Sequence, residues 1–545
     1  MRRFRPSRLM LFGLVAALAA PAAAQPIPLD ALMRGGRIHY EGQRYERARE
    51  QFTKALDQYG AQADNPTLAQ IHTWVGLCDA QLRDFAAAAE HFSTALEKDT
   101  SYAAKIRKEE QWQYLAWTAL INATREDYNR AQYEPALRYA LDALKVDPEK
   151  PQTYALVANI YSALGDYEEM RLVADELLRL NPGSPEAFSL LGLYFLEKPD
   201  SLWLGREAKL ARWDSSAYYY NEAIVQYEDR FNKAKAALKD SLRISDPARL
   251  DQITWSLIEK SRVADQSELK RYIEKDLNAA KRLPAVAQAA SQLFFAANNV
   301  NAASSRAGTA ALRAAAETRG DTSEKFRGEA EVLFGRAVEY DSSDFTALFD
   351  LGIAQYQGRK DSLAEMTLQR VVNGASVPIA GLPAEILSEL LPLVTPDAAK
   401  TGYLEIAGPL AGKIDSALLA QGHVAGGYNW FYFPDLKDKK DFAAATPADA
   451  PGMFLSLEQP HLLEQAYLWL GSSQTGLGTA MDTLNHKDAR VALFHRAIGN
   501  LQMAVKLSPQ NPDAYQNLGI CYRELGQKEK ALSAFETAEK IKKMK

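Results

Sequence analysis

The side chains that could do chemistry in this sequence are seven histidines, two cysteines and a run of five aromatic residues near position 430. His486 and His495 are nine residues apart, a spacing that does not put both on one ligand face of a helix. None of the seven histidines has the close histidine or carboxylate spacing of a metal site. No metal and no cofactor is expected. The motifs H-E-x-x-H, G-x-S-x-G, G-x-x-x-x-G-K-[ST] and C-x-x-C are missing. Gly476 and Gly478 begin a G-x-G, but Met481 stands where a dinucleotide loop needs its third glycine. Carboxylates are plentiful, and on helix surfaces they are ordinarily solvated or paired with Lys and Arg. The expectation is a protein without catalytic activity.

Tyr428, Trp430, Phe431, Tyr432 and Phe433 form the aromatic run. Glycines before it and Pro434 after it exclude a continuous helix, so a loop or short strand is expected. Its first reading is a plug that packs a long excursion onto helices, since aromatic rings mainly supply buried area. Its second is a ligand platform of Tyr428, Trp430 and Tyr432 for a glycan or a partner's side chains. Membrane contact fits less well, because Lys437, Lys439 and Lys440 alternate with Asp435, Asp438 and Asp441.

The elements that position these residues follow from bulk properties and repeats. The chain has 545 residues, 47% hydrophobic and 24% charged, with net charge −5. This is a folded chain too long for one ordinary core. A mildly acidic balance gives no broad attraction for nucleic acid or anionic lipid, and no nucleic-acid partner is expected. Arg2, Arg3, Arg5 and Arg8 precede the apolar run Leu9 to Ala20 and the small residues Ala22 to Ala24. That order is a secretory signal peptide with cleavage expected after Ala24. The apolar run is too short to span a membrane, which needs about 20 residues. No transmembrane segment is expected after cleavage, and the mature chain should be periplasmic or secreted.

Near the end, "AYQNLGICYRELGQKEKALSAFETA" controls size and apolarity at fixed steps. Taking Pro512 as position 1, Tyr515, Leu518, Gly519 and Tyr522 fall at 4, 7, 8 and 11. Ala531, Phe535 and Ala538 fall at 20, 24 and 27. The segment resembles a tetratricopeptide repeat (TPR). Positions 4, 7, 8 and 11 share one face of a first helix, and 20, 24 and 27 share one face of a second. Small residues at 8 and 20 let the two backbones approach. Tyr154, Val157, Ala158, Tyr161, Gly165, Met170, Ala174 and Pro182 repeat the pattern. So do Gly36, Ala48, Phe52 and Ala55, and Gly76, Ala88, Phe92 and Ala95. Ala136, Ala140 and Ala143 mark another second helix, and Phe188, Leu191 and Gly192 mark a first helix whose partner is lost. Leu351, Gly352, Ala364 and Leu368 suggest a degenerate copy. Leu470 and Gly471 align with Ala497, Leu501 and Ala504 if about 14 residues are looped out of a 34-residue repeat.

The expected class is all-α, a TPR solenoid with a long helical insertion and a loop-rich excursion. The expected segments are the signal peptide (1–24), an N-terminal array (25–196) and a helical insertion (197–329). Degenerate TPR-like helices (330–378), the excursion (379–460) and a C-terminal pair (461–545) follow. In this frame His72 and His39 occupy positions 4 and 11, where aromatic packing residues belong. Cys78 and Cys521 both occupy position 10 and are expected as free buried thiols.

The resemblance implies a groove lined by first-helix positions 2, 5, 9, 12 and 13 that receives a protein or peptide. The groove residues it implies are Gln516, Ile520, Arg523 and Glu524 in the last repeat, Gln152 and Asn159 in one upstream, and Gln70 and Thr73 near the start. Asn122, Asn159 and Asn517 lack the Lys partners of the carboxylate-clamp subclass. A terminal repeat leaves an apolar face without a neighbour. The insertion, self-association or a partner is expected to cover it. The chain is also similar in size and in its long insertions to glycan-capturing outer-membrane proteins with TPR cores, although the lipidated Cys of that family is missing.

Overall fold

The computed structural model describes residues 27–198, 205–262, 266–421, 423, 428–436, 452–457, 459–482 and 486–544. The signal-peptide reading and the lysines at 437, 439 and 440 lie outside them. Among the described residues the chain forms 24 α-helices and one small four-stranded sheet, an all-α architecture. It divides into two compact units, one ending at Asp166 and one running from Tyr167. The division falls between the helices Pro151–Leu164 and Tyr167–Leu180, which the sequence pattern assigns to a single repeat.

The first unit is a series of antiparallel helix pairs: Leu29–Glu41 with Tyr45–Tyr59, Asn65–Gln81 with Phe85–Lys98, and Glu110–Asn129 with Tyr133–Val146. Local chemistry sets their ends. Asp64 accepts a hydrogen bond from the Thr67 amide, with Pro66 in the first turn. Asp84 does the same for Ala87. Between the helices of each pair one residue has left-handed backbone: Gln43, Arg83 and Ala131, at φ of 57°, 64° and 57°. Gly165 and Gly526 hold the same place in their repeats at φ 75°.

The first two pairs close on one kind of contact. A Cβ on Gly36 would stand 2.5 Å from the Phe52 ring, and one on Gly76 would stand 3.2 Å from both Phe92 and the Ala88 carbonyl. A side chain would collide at Gly36 and crowd its neighbours at Gly76, so the helix backbones meet and the ring fills the space beside them. Phe52, Phe92, Ala48, Ala55, Ala88 and Ala95 are fully buried.

The second unit uses the same contact. Gly519 meets Phe535 and Gly352 meets Leu368, each sixteen residues apart as in the first unit. The stretch read as an insertion, 197–329, supplies one partner to each of two more examples. Tyr220, on the long helix Arg206–Leu242, lies over Gly192 of the helix Pro185–Glu197. Phe334, on Asp321–Tyr340, lies over Gly308 of the long helix Leu283–Glu317. The lost partner of Gly192 is therefore present, and the boundary expected at 329 falls inside a helix. Asp246 caps the helix Pro247–Ser261 by accepting from the Ala248 amide, with Pro247 in the first turn. That helix ends at Ser261, and the short helix Ser267–Arg271 follows.

The looped-out residues expected after Gly471 are another correction. They lengthen both helices, Pro460–Ala480 and Lys487–Leu507, to 21 residues each. Gly471 still meets Leu501, and Gly478, seven residues on, meets Phe494. Seven residues are about two turns, so the same face is kept and the pair simply grows.

Among its described residues the excursion forms a module of short helices and strands. Four strands, β1 (Ser376–Pro378), β2 (Tyr403–Glu405), β3 (Trp430–Tyr432) and β4 (Phe454–Ser456), form an antiparallel sheet in the order β1-β4-β3-β2. Val377, Ile386, Leu390, Ile414, Leu418, Phe431, Phe433 and Leu455 form its own core. The Leu457 amide donates to the Ala375 carbonyl at 2.9 Å, so the chain leaves and rejoins the helices at one point. The flanking helices Asp361–Ala375 and Pro460–Ala480 pack directly on each other. Ser473 donates to the Asp361 carbonyl at 2.7 Å, and Gln474 to Glu365 at 3.1 Å.

Candidate protein-binding surface

The groove positions named from sequence divide into open and committed residues. Thr73 is 1% exposed and its hydroxyl donates to the Ala69 carbonyl at 2.7 Å. Its neighbours at the other lining positions, Leu77 and Ala80, are buried as well. The helix Asn65–Gln81 lies among the helices Tyr45–Tyr59, Phe85–Lys98 and Glu110–Asn129, which cover the side that a groove would need. Thr73 is therefore a packing residue, and Gln70 is half-buried beside it.

Gln152 and Asn159 are exposed on Pro151–Leu164, seven residues apart and thus on one face. In the last repeat Arg523 is exposed, and Gln516 and Ile520 are half-buried. Glu524 is engaged. It accepts from Arg490 at 2.5 Å and from Arg523 at 2.9 Å, while Arg490 also donates to the Gly478 carbonyl at 2.9 Å. Burial pushes the Glu524 carboxyl up, but the hydrogen bonds from Arg523 and Arg490 outweigh it and hold the group below its ordinary value. Glu524 thus braces the last helix pair to the one before.

The aromatic run supplies packing. Alternation along β3 sends Phe431 into the module core and Trp430 and Tyr432 to the opposite face. Tyr432 is fully buried, stacks on Phe454 at 4.9 Å and packs against Leu463 and Leu507 of the helices behind the sheet. Lys506 adds an ion pair to Asp435 at 2.5 Å. Tyr428 is 1% exposed. Two of the three rings expected as a platform therefore have no open face, because both sides of the sheet are covered by apolar groups. Trp430 alone is part-exposed, beside the exposed Glu405 on β2.

A surface that the sequence reading missed lies between the two long helices. A cleft of about 370 Å³ is lined by Tyr227, Arg230, Lys233, Gln292, Phe295 and Asn299. Phe295 is 63% exposed at its rim. Gln292, Phe295 and Asn299 stand at helical spacing on one face, and that was the available signal.

Both thiols are free and buried. Burial pushes Cys78 up to about 12 and Cys521 up to about 11, so neither is a thiolate near neutral pH. Among the described residues no group of three or more His, Cys, Asp or Glu is placed to hold a metal ion. No helix among them is long and apolar enough to cross a membrane.

Three segments match models of the tetratricopeptide repeat: residues 30–60, 151–184 and 500–533. The chain carries TPR repeats. No curated protein matches it in sequence. Solved structures that it resembles include MamA, at 15% identity over 37% of this chain and 93% of that one, TM-score 0.24. A thermophilic TPR protein of Thermus thermophilus matches at 20% identity, over 36% of this chain and 91% of that one, TM-score 0.18. The assembly chaperone of RpL4, Acl4, matches at 11% identity, over 76% of this chain and 99% of that one, TM-score 0.32.

Proposed function

We propose that this chain is an exported, non-enzymatic scaffold that holds another envelope or secreted protein on the surface of its TPR helices. The observation that carries this reading is a repeated helix pair closed by the same small-residue contact, with exposed polar side chains left at lining positions in both units. Gln152 and Asn159 in the first unit, and Gln516, Ile520 and Arg523 in the second, are the proposed contacts. Glu524 contributes by holding Arg523 and Arg490 in place. The arginine-rich start and the small residues before Gln25 support export, which would place the mature chain in the periplasm or outside the cell. The exposed Leu532 and Met544 on the last helix offer a surface for self-association.

The test is capture from an envelope extract by the mature chain, beside a variant carrying Gln152→Ala, Asn159→Ala and Arg523→Ala. A protein retained by the first and lost from the second supports the scaffold reading. Equal retention on both removes these residues from the interface. Mass spectrometry of the exported chain checks the start at Gln25, and a full-length product still beginning at Met1 would refute export by cleavage. The glycan alternative now rests on Trp430 alone, since Tyr428 and Tyr432 are taken up in packing.

A further inference from the structure

The second helix pair contains a polar chain that the packing pattern does not require. His72, at a place where other repeats carry Tyr515 or Tyr154, meets His91 of the facing helix with their Nδ1 atoms 2.9 Å apart. The ring centroids are 5.2 Å apart, so the two nitrogens lie close to the line that joins them. This is the head-on geometry of an N–H donating to a lone pair. Behind His91, its Nε2 stands 3.9 Å from a carboxylate oxygen of Asp79, two helical turns from His72 on the same helix. Asp79 is 2% exposed and accepts from Arg49 of the preceding pair at 3.1 Å.

The proton arrangement follows. The Asp79 carboxylate favours a proton on His91 Nε2, which leaves His91 Nδ1 as acceptor and His72 Nδ1 as donor. A first added proton charges one ring, still leaves one nitrogen of the central pair as donor and the other as acceptor, and strengthens that bond by charge. A second has only the accepting Nδ1 to occupy. Two N–H groups would then point at each other across 2.9 Å, between two cations.

We propose that the His72–His91 contact is an acid-sensitive latch: it holds the helices Asn65–Gln81 and Phe85–Lys98 together while at most one ring is charged, and releases them when both are. The charged groups around it are Asp79 on the first helix, Glu90 and Lys98 on the second, and Arg49 on Tyr45–Tyr59. Arg138 and Tyr139 on Tyr133–Val146 reach it through Glu90, which accepts from both. Burial, then His91 and Lys98, hold His72 down to about 4. Burial lowers His91 against the opposing pull of Asp79 and Glu90. Both rings sit below the ordinary histidine value of about 6.5, so the opened chain takes up protons first. The closed form is fully favoured above that value and loses ground as pH falls toward about 4. Asp79, raised by burial, works in the opposite direction, but its protonation removes the anion beside His91.

Hydrogen exchange on the full chain tests this, read peptide by peptide from pH 7 to pH 4 and back, with intrinsic rates corrected. The expected result is a reversible loss of protection confined at first to 65–98, with a midpoint between about 4 and 6.5. The pair 512–544, which carries Tyr515 at the corresponding place, should hold its protection. His72→Tyr should abolish the acid-dependent loss, and His91→Gln should do so should the first variant not fold. Protection of 65–98 unchanged to pH 4, or lost equally in the folded variant, would overturn the latch.

Discussion

Tyr220 lies over Gly192 so closely that a methyl group on that glycine would stand 2.9 Å from the ring. The two residues are 28 apart in sequence, whereas Gly519 and Phe535, which make the same contact, are 16 apart. One relationship thus closes short and long helix pairs alike. Gly192→Ala forces the ring or the helix to move and is expected to cost about 1–3 kcal/mol. Gly499→Ala, in a helix with nothing within 4 Å of the added carbon, should stabilise by about 0.5–1 kcal/mol. Urea unfolding of the two variants checks the pair. Equal effects would mean that the contact is not selective for size.

The turn inside each helix pair gives a prediction of opposite sign. Ala131 holds φ 57°, a backbone region that costs an L-residue about 1–2 kcal/mol. Ala131→Gly is expected to stabilise the first unit by a few tenths to about 1 kcal/mol, less than the strain relieved because glycine gains freedom in the unfolded chain. A lower midpoint in thermal unfolding would contradict it.

The brace at Glu524 predicts a pH dependence. Its carboxyl is held below the ordinary value, so its contribution is fully present above the usual carboxylate range and is lost as pH falls through the lowered value. Arg490→Ala removes one of its two donors. Proton titration followed by carbon NMR of labelled Glu should then move the Glu524 midpoint upward. The stability effect should be no more than about 1 kcal/mol, since the pair is partly solvated.

The sheet module should be separable from the helices that carry it. Its ends meet at the Ala375–Leu457 hydrogen bond, and the helices on either side touch without it. Replacing residues 376–456 by a few glycines is expected to keep the helical circular dichroism of the remainder. Solubility should fall, because Leu463 and Leu507 lose their cover. Tyr432→Ala in the intact chain should cost about 3–5 kcal/mol, as for other buried aromatic truncations, and Trp430→Ala distinctly less. Collapse of helix content on excision would show that the module is integral.

The repeats were legible at Gly36, Gly76 and Gly519, each with an aromatic ring sixteen residues on, because helix pairs of fixed length return the same face at a fixed step. They were hidden at Gly192 and Gly308, where added turns moved the partner ring to 220 and 334 without changing the contact. At Gly471 the longer spacing was seen but given to a loop, since spacing alone does not tell extra helix from extra loop. The module was opaque for another reason. Its three-residue strands are too short to carry an alternation signal, and its glycines and prolines look like loop. Thr73 failed as a groove residue because its helix is packed among Tyr45–Tyr59, Phe85–Lys98 and Glu110–Asn129, two of which its own repeat does not encode.

The central claim is that exposed lining positions of the helix pairs hold a partner protein. Photo-crosslinking residues placed one at a time at 73, 159 and 523 of the exported chain test it in living cells. The account predicts a discrete protein adduct from 159 and from 523, and none from 73, which is buried. No adduct from either exposed position, or equal adducts from 159, 523 and outward second-helix positions such as Glu536, would contradict it.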